Sequence, residues 1–214
     1  MLSYIKKMMQ GGTATWNIRD THMMDTLKRL MEFHGKQAKS IVWAHNTHVG
    51  DARYTDMAEA KMVNIGQLVR EHAGDNNALL IGFGTYQGTV IAAKEWGENM
   101  ERMHVPPAVD GSWDRLIHEL SEGHDRLLLF GDDTKESISG KLLTEETRNK
   151  RRGQRAIGVV YNPEYEKYGN YVPTDLIRRY DAFLYIDKTH ALNPLHMPDV
   201  KEDEDLPETF PTGL

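Results

Sequence analysis

Short apolar runs and helical stripes alternate along this chain. Residues 40–44, 78–83, 126–130, 156–161 and 182–186 are apolar stretches without regular polar alternation. Strands that are apolar on both sides mark a parallel sheet with helices on both faces. Between them lie patterns of helical spacing. Met23, Leu27, Leu30 and Met31 share one face of a helix that Asp20 or Thr21 caps and Gly35 stops. Met62, Ile65, Leu68 and Val69 repeat the pattern, as do Trp113, Leu116, Ile117 and Leu120 behind Ser112. Thr174 is placed to cap a last helix carrying Leu176, Ile177 and Tyr180. Alternation of strand and helix predicts an α/β fold of three α/β/α layers around a mainly parallel sheet.

The remaining segments fall outside this rhythm. Residues 131–154 are charged and carry no long apolar stripe, so a surface path is expected. Residues 198–214 hold Pro198, Pro207 and Pro211 with six acidic residues from Asp199 to Glu208, the composition of a poorly ordered tail. Tyr4, Ile5, Met8 and Met9 look like half of an apolar face with nothing to pack it. The expected organisation is a domain over residues 1–197, itself an incomplete piece of a larger fold, followed by the tail.

Composition narrows the function classes. The chain has 214 residues, 39% hydrophobic and 27% charged, with a net charge of −6. That length buries a sizeable core, and the acidic balance with no basic, aromatic-laced patch argues against nucleic acid as a partner. Cysteine is absent, which excludes disulfides, thiolate catalysis and Cys-ligated metals. No apolar run approaches the roughly 20 residues of a membrane span, so no membrane contact is expected and a cytoplasmic location is.

The densest acid–base chemistry lies at residues 41–53, where Ile41-Val42-Trp43-Ala44 gives way to His45-Asn46-Thr47-His48 and then Asp51 and Arg53. A strand delivering such residues at its carboxyl end opens onto the ligand crevice of an α/β sheet. Paired histidines divide general-base and electrostatic roles near neutral pH. Asp51 is placed to orient an imidazole, and Arg53 to bind a carboxylate or an oxyanion. Two plainer readings stand beside this one: a histidine that merely bonds within the turn, and a metal held by His45, His48 and Asp51. Residues 82–88, with glycines at 82, 84 and 88, read as a substrate-lining loop after the second strand. Arg19 and Asp20 form either a buried ion pair and cap or a crevice pair. Trp43, Trp96 and Trp113 are expected as core or pocket walls.

Several blocks, in this order, resemble the erythromycin esterase family. They are residues 16–23 (WNIRDTHM), 42–53 (VWAHNTHVGDAR), 82–85 (GFGT), 88–90 with 92–93, 155–161 (RAIGVVY) and 183–187 onward to Leu195. The resemblance implies a hydrolase that opens carboxylic esters or macrolide lactones by activating water, with a small-molecule ester as its ligand. It implies that His45 and His48 match cleft histidines and that Arg19 lies near them, with Asn46, Asp51 and Arg53 in support. It implies no cofactor and no metal. The family's Gly-Glu-x-x-His segment, which carries the general base, has no counterpart in these residues, and Gln87 and Lys167 through Tyr171 depart from the family pattern. The chain is therefore expected to be an incomplete esterase that self-associates or takes its N-terminal half from another chain. The alternative is a non-catalytic binding module of the same fold.

Overall fold

A computed structural model describes residues 12–130, 138–142 and 150–192. Its helices are α1 (Thr13–His34), α2 (Asn46–Val49), α3 (Ile65–Ala73), α4 (Trp113–Ser121), α5 (Ile138–Leu142), α6 (Glu166–Gly169) and α7 (Leu176–Arg179). Its strands are β1 (Ile81–Ala92), β2 (Glu101–Val105), β3 (Arg126–Leu129), β4 (Arg152–Arg155), β5 (Tyr171–Thr174) and β6 (Ala182–Thr189). The main sheet runs β2-β1-β6-β3, and β4 pairs with β5 in a second.

The α/β architecture holds, and the sheet is mixed. β1 and β6 run parallel, whereas β2 and β3 flank them antiparallel. One face is closed by α4. Ser112 caps that helix by accepting the Arg115 N–H. Trp113 and Ile117 then reach Leu128, Phe130, Phe183 and Tyr185, forming the main core. A smaller cluster joins Ala92, Met103, Val105 and Tyr161. On the opposite face Ile81, Phe83, Leu127, Leu129 and Ile186 remain open to solvent. Two-sided apolar strands are present as expected, with one side covered.

Several local expectations change. Residues 40–44 lie in no sheet, and Ile41 and Trp43 are 93% and 84% exposed. An apolar run becomes a strand only where a neighbour offers a ladder, and no described segment offers one there. Residues 156–161 contribute a single bridge, Ala93 to Val160, because the chain pairs just before them as β4. The glycine-rich residues 82–88 are not a loop; they form the first half of β1. Their glycines answer to packing across the sheet, since a Cβ on Gly82 or Gly84 would meet the Phe183 ring at 2.7 or 2.6 Å. Helix α1 begins at Thr13, well before Asp20, and Gly35 ends it at φ 86°. Asp175, one residue after Thr174, caps α7. Trp113 is core as expected, but Trp96 is exposed. Within residues 131–154, Leu142 is fully buried and packs in the main core. The tail lies outside the described residues. Among the described residues, no helix is long and apolar enough to cross a membrane.

A buried ion pair fastens the second sheet to the first. Arg155 and Glu166 face each other through Nε and Oε1, with side chains 2% and 3% exposed. The guanidinium also donates to the carbonyls of Thr85, Tyr86 and Pro106, at 3.0, 2.6 and 2.7 Å. Glu166 Oε2 accepts the Tyr161 hydroxyl at 2.6 Å. Every charge removed from water here is met by several donors or acceptors.

Candidate functional site

Helical spacing assembles the first part of the site. Trp16, Arg19 and Asp20 stand at i, i+3 and i+4 on α1 and therefore share a face. That face meets α2, the turn that carries the histidines. Trp16 stacks on the His48 ring with centroids 4.5 Å apart and planes 4° from parallel. Its indole N–H donates to the Val63 carbonyl at 2.8 Å, which fixes the ring.

Asp20 is fully buried and holds His48. The Nδ1 of His48 lies 2.9 Å from Asp20 Oδ1 and 3.1 Å from Oδ2. A carboxylate only accepts, so the imidazole proton sits on Nδ1 and Nε2 carries the lone pair. That Nε2 lies 3.4 Å from Arg19 Nη2, and the Arg19 guanidinium rests 4.6 Å over the Trp16 ring. Asp20 Oδ1 also accepts the N–H of Ile65, the first residue of α3, at 3.1 Å. The α3 N-terminus thus adds its partial positive charge to the binding of this carboxylate. Asp20 caps a helix, though α3 and not its own.

His45 is bonded at both nitrogens. Its Nε2 is 2.9 Å from the Ile157 carbonyl and must donate. Its Nδ1 accepts the Thr47 N–H at 3.3 Å and lies 2.9 Å from the Thr47 hydroxyl. The ring caps α2. Its pKa falls below the ordinary histidine value of 6.5, first through burial, and further through His48 and the Arg179 guanidinium beside it. The bond to Ile157 opposes this in part. His45 is therefore a neutral, fixed imidazole at the surface, and His48 beside it is the more enclosed of the two, its side chain 18% exposed.

The turn itself is clamped from three sides. Asn46 donates to the Phe83 carbonyl at 2.6 Å and accepts its N–H at 3.0 Å, joining the turn to β1. Arg179, 1% exposed, donates to the Asn46 carbonyl at 2.9 Å, to Gln154 Oε1 at 3.0 Å and to Thr174 Oγ1 at 3.0 Å. Fully buried Asn64 donates to the carbonyls of Thr47 and Gly50 and accepts from the N–H groups of Gln67 and Ala52. Gly66 lets α3 press on the Val49 carbonyl, where a Cβ would collide. Asn64→Ala removes the α3 cap and orphans buried carbonyls. It is expected to lower stability by about 2–3 kcal/mol in urea unfolding; a change under about 0.5 kcal/mol contradicts the clamp.

Asp51 and Arg53 stand apart from the imidazoles. The Asp51 carboxylate takes Arg53 Nε and Nη2 at 3.0 and 2.7 Å and Arg70 Nη1 at 3.2 Å. It orients two arginines rather than a histidine, and Arg53 is committed to it. His45, His48 and Asp51 therefore do not converge, and no described group of three or more His, Cys, Asp or Glu could hold a metal ion. The sequence reading placed Arg19 near the histidines, where the structure has it. It missed Trp16 and the orienting role of Asp20, although their i, i+3, i+4 spacing with Arg19 was the available signal.

Solved structures share this fold. A succinoglycan biosynthesis protein matches with TM-score 0.64 and 21% identity, over 88% of this chain and 43% of that one. A protein from Bacillus cereus matches with TM-score 0.63 and 17% identity, over 83% and 40%. A His-to-Asn mutant of the erythromycin esterase EreC, in its open conformation, matches with TM-score 0.54 and 15% identity, over 87% and 40%. At these identities the likeness is one of fold, and the chain spans less than half the length of each. The family model for erythromycin esterase matches residues 1–189. Nearly the whole sequence thus conforms to that one pattern, and the chain belongs to the erythromycin esterase family.

Proposed function

We propose that this chain carries the proton-transfer part of an ester-hydrolysing site, acting on a carboxylic ester or a macrolide lactone. The observation that carries the reading is the His48 imidazole, held between the buried Asp20 carboxylate and the Arg19 guanidinium. Water placed at Nε2 gives its proton to that nitrogen while its oxygen bonds to the ester carbonyl carbon. The carbonyl π pair moves onto oxygen, and Arg19 is the cation within reach to bind that charge. Collapse of the intermediate breaks the bond to the alkoxide, which recovers the proton from Nε2. Asp20 steadies the imidazolium between the two steps, and neutral His45 contributes shape. A Gly-Glu-x-x-His segment is absent from these residues, so turnover by this chain alone rests on His48.

Hydrolysis of a short aryl ester and of a macrolactone tests this. His48→Asn is expected to lower kcat/KM by about 10²–10⁴-fold, with Asp20→Asn lowering it less and folding retained by circular dichroism. Turnover indifferent to both changes refutes the role. The doubly bonded His45 ring favours a second reading, a binding module of the same fold. Saturable ester binding without turnover, weakened by Arg19→Ala, supports that reading instead.

A further inference from the structure

We infer that the bare face of the main sheet is the docking surface for a second copy of this chain. Strand register places its residues in apolar rows: Phe83, Leu184 and Leu127 in one, Ile81, Ala182 and Leu129 in the next, with Ile186 beside Thr85. Trp43 stands edge-on against Phe83 at 5.6 Å and extends the surface. Leu127 is 58% exposed and Leu129 is 48% exposed, levels foreign to leucines flanking a central strand. Charge enters at the Ile186 end, where Asp125 Oδ1 accepts the Asp187 N–H at 2.8 Å, and again with Lys188 at the carboxyl end of β6.

Area and charge select the occupant. Scaled from roughly 150–250 Å² per fully exposed large side chain, the patch offers on the order of 700 Å² of apolar surface. That exceeds what soluble monomers ordinarily leave open and approaches the roughly 800 Å² per partner of a stable complex. The rows Phe83–Leu184–Leu127 and Ile81–Ala182–Leu129 carry no charge and are compatible with themselves. Two copies related by a two-fold axis bring the same patch to both sides, and the association closes at a dimer. Trp43 and Phe83 are the large aromatic anchors on its β1 side. The pairing also reaches the histidine turn, because Phe83 is the residue to which Asn46 is bonded.

Sedimentation and light scattering of the unmodified chain from about 1 to 100 μM decide the matter. A species of twice 24.5 kDa is expected to fill that range. Phe83→Lys and Leu127→Lys are each expected to weaken the dimer at least about 30-fold. Leu30→Lys, at an exposed leucine on α1, is expected to leave it unchanged. In the unmodified protein, the emission contributed by Trp43, taken as the difference from Trp43→Phe, shifts to the blue as the dimer forms. A monomer throughout the range overturns the proposal and leaves the face to a different polypeptide. A dimer insensitive to both lysine changes, with no Trp43 shift, overturns it equally.

Discussion

Arg155→Met is expected to cost about 3–5 kcal/mol of folding stability, and to lower the midpoint of thermal unfolding by roughly 10 °C. The change strands the Glu166 carboxylate in a place where it is 2% exposed, with no cation and only the neighbouring hydroxyls of Tyr161 and Tyr171 to meet it. The carbonyls of Thr85 and Pro106 lose a donor as well. Tyr86 is less affected, since its carbonyl also accepts the Ala108 N–H. Most of the loss comes from the abandoned charge rather than from missing attraction. Adding Glu166→Gln to Arg155→Met should therefore recover about half of it, because a neutral amide still accepts from Tyr161. A double variant no more stable than Arg155→Met alone contradicts this account.

Asp114 provides the second large effect, and it depends on pH. The residue is fully buried on α4, and its Oδ2 accepts the Arg155 N–H at 2.8 Å. Its Oδ1 has no hydrogen-bond partner and faces the α-carbon of Gly84. Burial pushes its pKa from 3.8 up to about 6, against the pull of Arg155. The folded state thus holds this proton more tightly than the unfolded chain. Stability contributed by the neutral acid is complete below 3.8 and is lost as pH rises toward 6. At one pKa unit per 1.36 kcal/mol, the loss is about 3 kcal/mol. Asp114→Asn is neutral throughout and cannot show it. The stability of the unmodified protein relative to Asp114→Asn should fall by about 3 kcal/mol between pH 3 and pH 7 in urea titrations. A difference that stays constant across that range would falsify the assignment.

Features decided within a few residues were legible in the sequence. Ser112 caps α4 and Gly35 ends α1, as their positions announce. β3 and β6 appear where their apolar runs stand. Features decided across the fold were not. Residues 40–44 have a strand's composition without a strand's partner. The glycines at 82 and 84 imitate a loop because the rings that require them lie about a hundred residues downstream. Within the site, the histidines and Arg19 were visible, and Arg19 lies 3.4 Å from His48. Asp51 was assigned to an imidazole on proximity in sequence, but Arg53 and Arg70 claim it. The carboxylate that does the orienting, Asp20, sits 28 residues from His48, a separation that a local pattern does not convey.

The grip of Arg179 on the Asn46 carbonyl spans 133 residues, and β1 finds its parallel partner only in β6. Such contacts are slow to form, since a long loop must close before they return any energy. During synthesis the histidine turn leaves the ribosome before α7 and β6, and part of its frame is missing until they follow. A nascent chain interrupted before Arg179 carries both imidazoles without the clamp on the Asn46 carbonyl. For this protein, the brace behind the histidines is among the last things that folding delivers.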